Sequence, residues 1–249
     1  MAAFFNAILY QPIFNLFVGL YTAIPDVGVV IVIITLLIKV LLYPSTKKSI
    51  IAQRSLQELQ PKLEELKKQY KDNQQTLAQE TMKMYKEHKV NPLGSCLPIL
   101  IQLPIFLALY WVFRDGLTSD NFEQLYSFIP NPGHINSMSF GIFDLSKPSI
   151  VLAVLAGGAQ FLQAKTLMRR RPPSAAGDGG KDESMMAIMN KQMLYVMPVM
   201  TVLIGTQLPG GLSLYWFLST LFTAIQQWWL FKDGVKPEDT GVIEGKIVS

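Results

Sequence analysis

Five stretches of this chain, about 25–44, 94–113, 148–168, 191–208 and 211–231, run with almost no charged residue. A helix needs about 20 mostly apolar residues to cross the hydrocarbon of a bilayer, at about 1.5 Å per residue. Each stretch is long enough, and 208-LPGG-211 leaves only a tight turn between the last two. Only 16% of the 249 residues are charged and mean hydropathy is +0.27, whereas a soluble domain is about a quarter charged. The expected fold class is an all-α polytopic membrane protein with five transmembrane helices.

A sixth apolar stretch occupies 1–24. Its Asn6, Gln11, Asn15 and Thr22 gather loosely on one helical face, which suits an amphipathic helix lying in the membrane interface. Pro12 and the absence of Lys or Arg before Lys39 argue against a signal peptide, which needs a cationic start.

The cations give the orientation. Segment 45–93 carries ten Lys and Arg, 165–191 six, 114–147 two and 1–25 none. The positive-inside rule places 45–93 and the loop 169–190 in the cytoplasm, and 1–24 and the loop 114–147 outside. Five crossings return the tail 232–249 to the cytoplasm. The net charge of +4 restates this topology and carries no nucleic-acid specificity.

The segment 45–93 is polar and helix-prone. Leu56, Leu59, Leu63 and Leu66 form one coiled-coil seam, and Leu77, Met84, Tyr85 and His88 form a second after 70-YKDNQQ-75. A cytoplasmic helical hairpin is expected, with a kink or restart at Pro61. The two histidines, His88 and His134, fall on opposite sides of the membrane, so no metal site is expected. The single cysteine, Cys96, allows no intrachain disulfide and reads as a small packing residue. The run 169-RRRPPSAAGDGGKDES-184 has linker composition, and its arginines suit anionic lipid, with a ribosome as the alternative partner. Methionines 185, 186, 189, 193, 197 and 200 form a stripe that packs against neighbouring helices or greets varied apolar segments. No nucleotide-binding, metalloprotease, nucleophile-elbow or cysteine–histidine motif occurs, so neither an enzyme nor a cofactor is expected.

Lys39 interrupts 31-IVIITLLIKVLLYP-44. It precedes Pro44 by five residues, about 7 Å from the expected inner end of its helix, so its ammonium either snorkels to the surface or serves something inside the membrane. Thr35 stands four residues away on the same face. Gln102, Gln160, Gln163, Thr223, Gln226 and Gln227 fall in the same inner half of the other runs. Each alone could join helices, but a charge with amides at matched depth fits a wet hollow open to the cytoplasm and closed outside.

The stretch 91-NPLGSCLPILIQLPIFLALYW-111, with 209-PGGLSLYWFLSTLFTAIQQ-227, 35-TLLIKVLLYPSTKKS-49 and 59-LQPKLEELKKQY-70, strongly resembles the YidC membrane-protein insertase family. The resemblance runs from about Val27 to Leu230. It implies five core helices, an outer amphipathic helix, a cytoplasmic hairpin and a hydrophilic groove with a cation in the first helix. Lys39 matches that cation, where bacterial members usually have arginine; lysine keeps the charge without the planar bidentate fork. Thr220 stands where relatives often have asparagine. The large extracytoplasmic domain and long basic tail of some members have no counterpart. The expected substrates are nascent membrane proteins, whose short polar flanks enter the groove at Lys39, Thr35, Gln102, Gln160 and Gln163 without nucleotide hydrolysis. Their apolar helices slide into lipid past Tyr215 and Trp216. An assembly chaperone is the alternative, and a small-solute transporter a weaker one, since no internal repeat with paired broken helices is present. The expected location is a bacterial plasma membrane; ribosome, targeting factors and a Sec translocon stay open as partners.

Overall fold

A computed structural model describes residues 3–71, 73–117, 122–168 and 192–232. Helix α1 spans Ala3–Ala23, its turn at Asn6–Tyr10 widened to a π-helix. It is followed by α2 (Val27–Glu58), α3 (Gln60–Gln69), α4 (Gln74–Glu87) and α5 (Pro92–Leu117). A small hairpin, β1 (Met138–Ser139) and β2 (Phe143–Asp144), precedes α6 (Ile150–Met168), α7 (Gln192–Gly205) and α8 (Gly210–Lys232). Among the described residues, four helices are long and apolar enough to cross a membrane: α1, α2, Leu97–Leu117 and Ile150–Leu167. This set differs from the five expected runs. Helix α1, expected at the interface, qualifies by length and composition. The described part of the 191–208 run gives the shorter helix α7, and α8, although 23 residues long, is not in the set.

The main core lies at one end of the bundle. Phe14, Phe17 and Val18 of α1 meet Val30, Ile31 and Ile34 of α2, Leu109, Val112 and Phe113 of α5, and Leu212 of α8, all essentially inaccessible. The segment after α5 closes this end like a stopper, with Ile135 and Leu145 buried in the core. It also supplies partners to helix ends that would otherwise hold bare N–H groups. Gly210 N donates to Lys147 O and Gly211 N to Leu145 O, each at 2.9 Å. At α2, Asp26 caps Gly28 N at 2.8 Å and Val29 N at 3.1 Å. The same carboxylate accepts from Ser139 Oγ and from Phe140 N at 2.9 Å. Burial raises the Asp26 carboxyl's pKa, but these hydrogen bonds outweigh it and hold it below the usual value.

Two local expectations change. The polar stripe of α1 divides: Thr22 is exposed, whereas Asn15 is buried, donates to Gln11 O and Gln124 O, and accepts from Tyr126 N. Asn15 thus fastens α1 to the segment after α5. Helix α2, moreover, does not end at Pro44 but continues to Glu58. Proline removes one hydrogen bond and crowds the carbonyl four residues back, yet Thr46 Oγ1 donates to Leu42 O at 2.8 Å in the next turn. The extension is pinned to the end of α8 by the Arg54 guanidinium, 5.0 Å over the Phe231 ring.

Pro61 restarts the chain as expected, at the first turn of α3. Leu59, Leu63 and Met84 form a second, separate core between α3 and α4, edged by Leu66, Tyr85 and Val90. His88 Nε2 lies 3.1 Å from Lys62 Nζ, a contact at the helix face rather than a ligand set. Of the methionine stripe, 185, 186 and 189 lie outside the described residues, as does the arginine triplet; Met197 and Met200 are exposed on α7. Among the described residues no cluster of three His, Cys, Asp or Glu could hold a metal.

Candidate functional site: a cavity among four helices

On the side of the bundle away from the stopper, α2, α5, α6 and α8 line an open-sided cavity of about 410 Å³. Its α2 wall is a stripe at helical spacing, Lys39, Leu42, Ser45, Thr46, Ser49 and Gln53. Helix α5 contributes Pro98, Ile99, Gln102 and Phe106, α6 contributes Gln160 and Gln163, and α8 contributes Tyr215, Trp216, Ser219, Thr220, Thr223 and Gln227. Helix α8 packs against α2, α5 and α6. Helix α6 makes no substantial packing with α2 or α5 among the described residues, so the cavity is least closed on the sides that face α6. Ile99 and Leu103 of α5, at 69% and 57% exposed, also line the cavity.

Lys39 Nζ donates to Thr223 Oγ1 at 2.9 Å, so the ammonium turns toward α8 and the cavity rather than out along the helix. Gln102 Nε2 donates to Tyr215 OH at 2.5 Å. Gln160 Oε1 accepts from Thr201 Oγ1, which joins the cavity wall to α7. Gln227 is 1% exposed, lines the cavity, and its Oε1 has no protein partner. A buried amide oxygen left so calls for water or a donor on a guest molecule. The floor of the cavity is thus cationic and its walls mix amides and hydroxyls with aliphatic carbon.

Of the seven residues expected at the groove and slide, six meet here, Lys39, Gln102, Gln160, Gln163, Tyr215 and Trp216, joined by Thr223 and Gln227 but not Gln226. Thr35 does not. It is fully buried and its hydroxyl donates to Ile31 O at 2.6 Å. It shares a helix face with Lys39 but sits one turn closer to the stopper, inside the core, where its own backbone satisfies it. Sequence reasoning missed Ser45, Thr46, Ser49 and Gln53. Their steps of three and four continue the face of Lys39, a signal lost once Pro44 is taken as the helix end.

The family model for the 60Kd inner membrane protein matches residues 19–237. The chain belongs to the YidC family. The membrane protein insertase YidC of Fusobacterium nucleatum subsp. nucleatum is 39% identical over 207 residues, covering 83% of this chain and 87% of that protein. Those of Actinobacillus pleuropneumoniae serotype 3 and Histophilus somni strain 129Pt are 34% and 33% identical over 90% and 89% of this chain, which matches only 36% of their own length. The chain thus spans about a third of those longer YidC proteins. A solved structure, the active YidC insertase crystal structure with the first transmembrane domain resolved, superposes with a TM-score of 0.59 at 25% identity. It covers 90% of this chain and 46% of that one.

Proposed function

We propose that this protein is a membrane-protein insertase of the inner membrane, and that the cavity is where a nascent chain's polar flank leaves the cytoplasm. The observation that carries the reading is the Lys39 ammonium, turned into a cavity whose walls mix amides and hydroxyls with aliphatic carbon and whose far side is closed by a solid apolar core. Moving a charged group to the centre of a bilayer costs about 2.5–3.5 kcal/mol on insertion scales and more in simulations. A wet recess reaching part-way through the membrane shortens that dry path. Lys39 attracts acidic residues of the flank, while the amides of Gln102, Gln160, Gln163 and Gln227 exchange for its water. The apolar part of the substrate leaves into lipid along the edge of α6 and α8, past Tyr215 and Trp216. Its burial in hydrocarbon, about 25 cal/mol per Å², drives the flank outward, so the cycle needs no nucleotide. In this reading the N-terminus and the stopper lie outside, and the α3–α4 pair and the C-terminus lie in the cytoplasm.

The test is reconstitution into protein-free liposomes with one single-span substrate bearing a short acidic flank. The flank becomes protected from added protease, Lys39→Arg retains this, and Lys39→Ala slows it about tenfold. An unchanged rate in Lys39→Ala would reduce the lysine to an anchor. Folding of pre-inserted helices without protection of the flank would favour an assembly chaperone instead.

A further inference from the structure

The hairpin β1–β2 turns through Phe140 and Gly141, at φ of 51° and 70°, with Ile142 N donating to Ser139 O at 3.1 Å. Two successive positive φ angles are those of a type I′ turn, whose first central position favours Asn, Asp or Gly. Here it holds phenylalanine, and an aromatic at positive φ is strained. The strain displays apolar surface: Phe140 is 54% exposed, Ile142 73% and Met138 43%. This tip does not point away into solvent. Ser139 Oγ accepts from Gly28 N at 2.9 Å, and a Cβ built on Gly28 would meet Ser139 Oγ and come 2.7 Å from Phe140 Cε2. The ring therefore lies against the first turn of α2, where the sequence passes from Pro25–Asp26 into an unbroken apolar run. Ile150 and Val151, at 71% and 56% exposed, begin α6 only a few residues after β2.

We propose that Met138, Phe140 and Ile142 form a lipid anchor seated at the headgroup–acyl boundary of the leaflet at the stopper end of the bundle. The hairpin is fixed at the depth where α2 enters hydrocarbon, so lipid is the occupant that continuity with a spanning helix supplies. Apolar side chains on a polar scaffold seat at this depth because the chain beneath them keeps its backbone bonds made. The anchor holds the stopper at a set depth against Asp26. The inference rests on membrane residence alone and is independent of what the cavity binds.

Spin labels test it in the full chain, in vesicles of phosphatidylethanolamine and phosphatidylglycerol. Nitroxides are placed at Ile142→Cys and Met138→Cys in a Cys96→Ser background, and each variant's thermal melting checks that it folds. Leu41→Cys, on an exposed face of α2, calibrates hydrocarbon, and Gln75→Cys, in α4, calibrates water. Both hairpin labels should be more accessible to oxygen than to a water-soluble nickel complex, the order found at position 41. The reverse order, as at position 75, would place the tip in water and overturn the anchor. Immobilised labels shielded from both reagents would mean that a second copy or another protein covers the tip, which also overturns it.

Discussion

The hydroxyl of Thr223 donates to Ser219 O at 2.9 Å, so its proton is committed and its lone pair is what meets Lys39 Nζ. This fixes the direction of the ammonium, which a flexible lysine stem would otherwise leave free. Thr223→Val keeps the shape but removes the acceptor, whereas Thr223→Ser keeps both. A hydrogen bond to a charged group contributes about 1.5–3 kcal/mol, so Thr223→Val should lower insertion of acidic-flank substrates about tenfold and leave neutral flanks nearly unchanged. Equal loss for both classes of flank, measured by protease protection, would make Thr223 a packing residue only. At this scale the sequence was informative about which side chains are polar and misleading about Thr35. A four-residue step fixes the face a residue takes on its own helix, but one turn of axial height decides whether that face meets cavity or core.

Between helices, the packing of α6 on α7 depends on small residues, as expected where lipid is as apolar as any side chain. A Cβ on Gly157 would stand 2.5 Å from Val202 Cγ2 and 2.9 Å from Pro198 O, while one on Gly158 would meet nothing within 4 Å. Gly157→Ala should therefore destabilise by about 1–3 kcal/mol through overpacking. Gly158→Ala should be neutral or gain up to about 1 kcal/mol of helix propensity; melting temperatures in one detergent compare the pair directly. The stopper has a different vulnerability. Side-chain hydrogen bonds from Ser146, Lys147 and Ser137 hold the Asp144 carboxyl well below the usual range, and Asp26 is depressed as well. Groups with a depressed folded pKa stabilise above their unfolded value, near 4, and lose that contribution as pH falls through the folded one. The melting temperature should thus fall on acidification below about pH 4. Asp26→Asn, which can still cap α2, should flatten part of that fall, and an identical pH profile would show that Asp26 is not among the groups responsible.

For the whole molecule, two cores divide the work. The large one lies under the stopper, and the small one, Leu59, Leu63 and Met84, belongs to the α3–α4 pair alone. Replacing residues 60–87 by a Gly/Ser linker should leave the melting temperature of the membrane part within a few degrees while weakening crosslinking to a nascent substrate. A collapse of melting would show that the pair is part of the structural core. What the sequence determined by itself was the apolar runs, the part of the α3–α4 seams made by Leu59, Leu63, Leu66, Met84 and Tyr85, and the cation among aliphatic residues. These follow from periodicity and composition, which act along one segment at a time. Only the tertiary structure decided that Asn15 is buried as a fastener, that α2 runs on through Pro44 to give the cavity a wall of Ser45, Thr46, Ser49 and Gln53, and that Lys39 finds Thr223. Each depends on where one helix stands against another, and helix pairs are set by the shapes of both surfaces together.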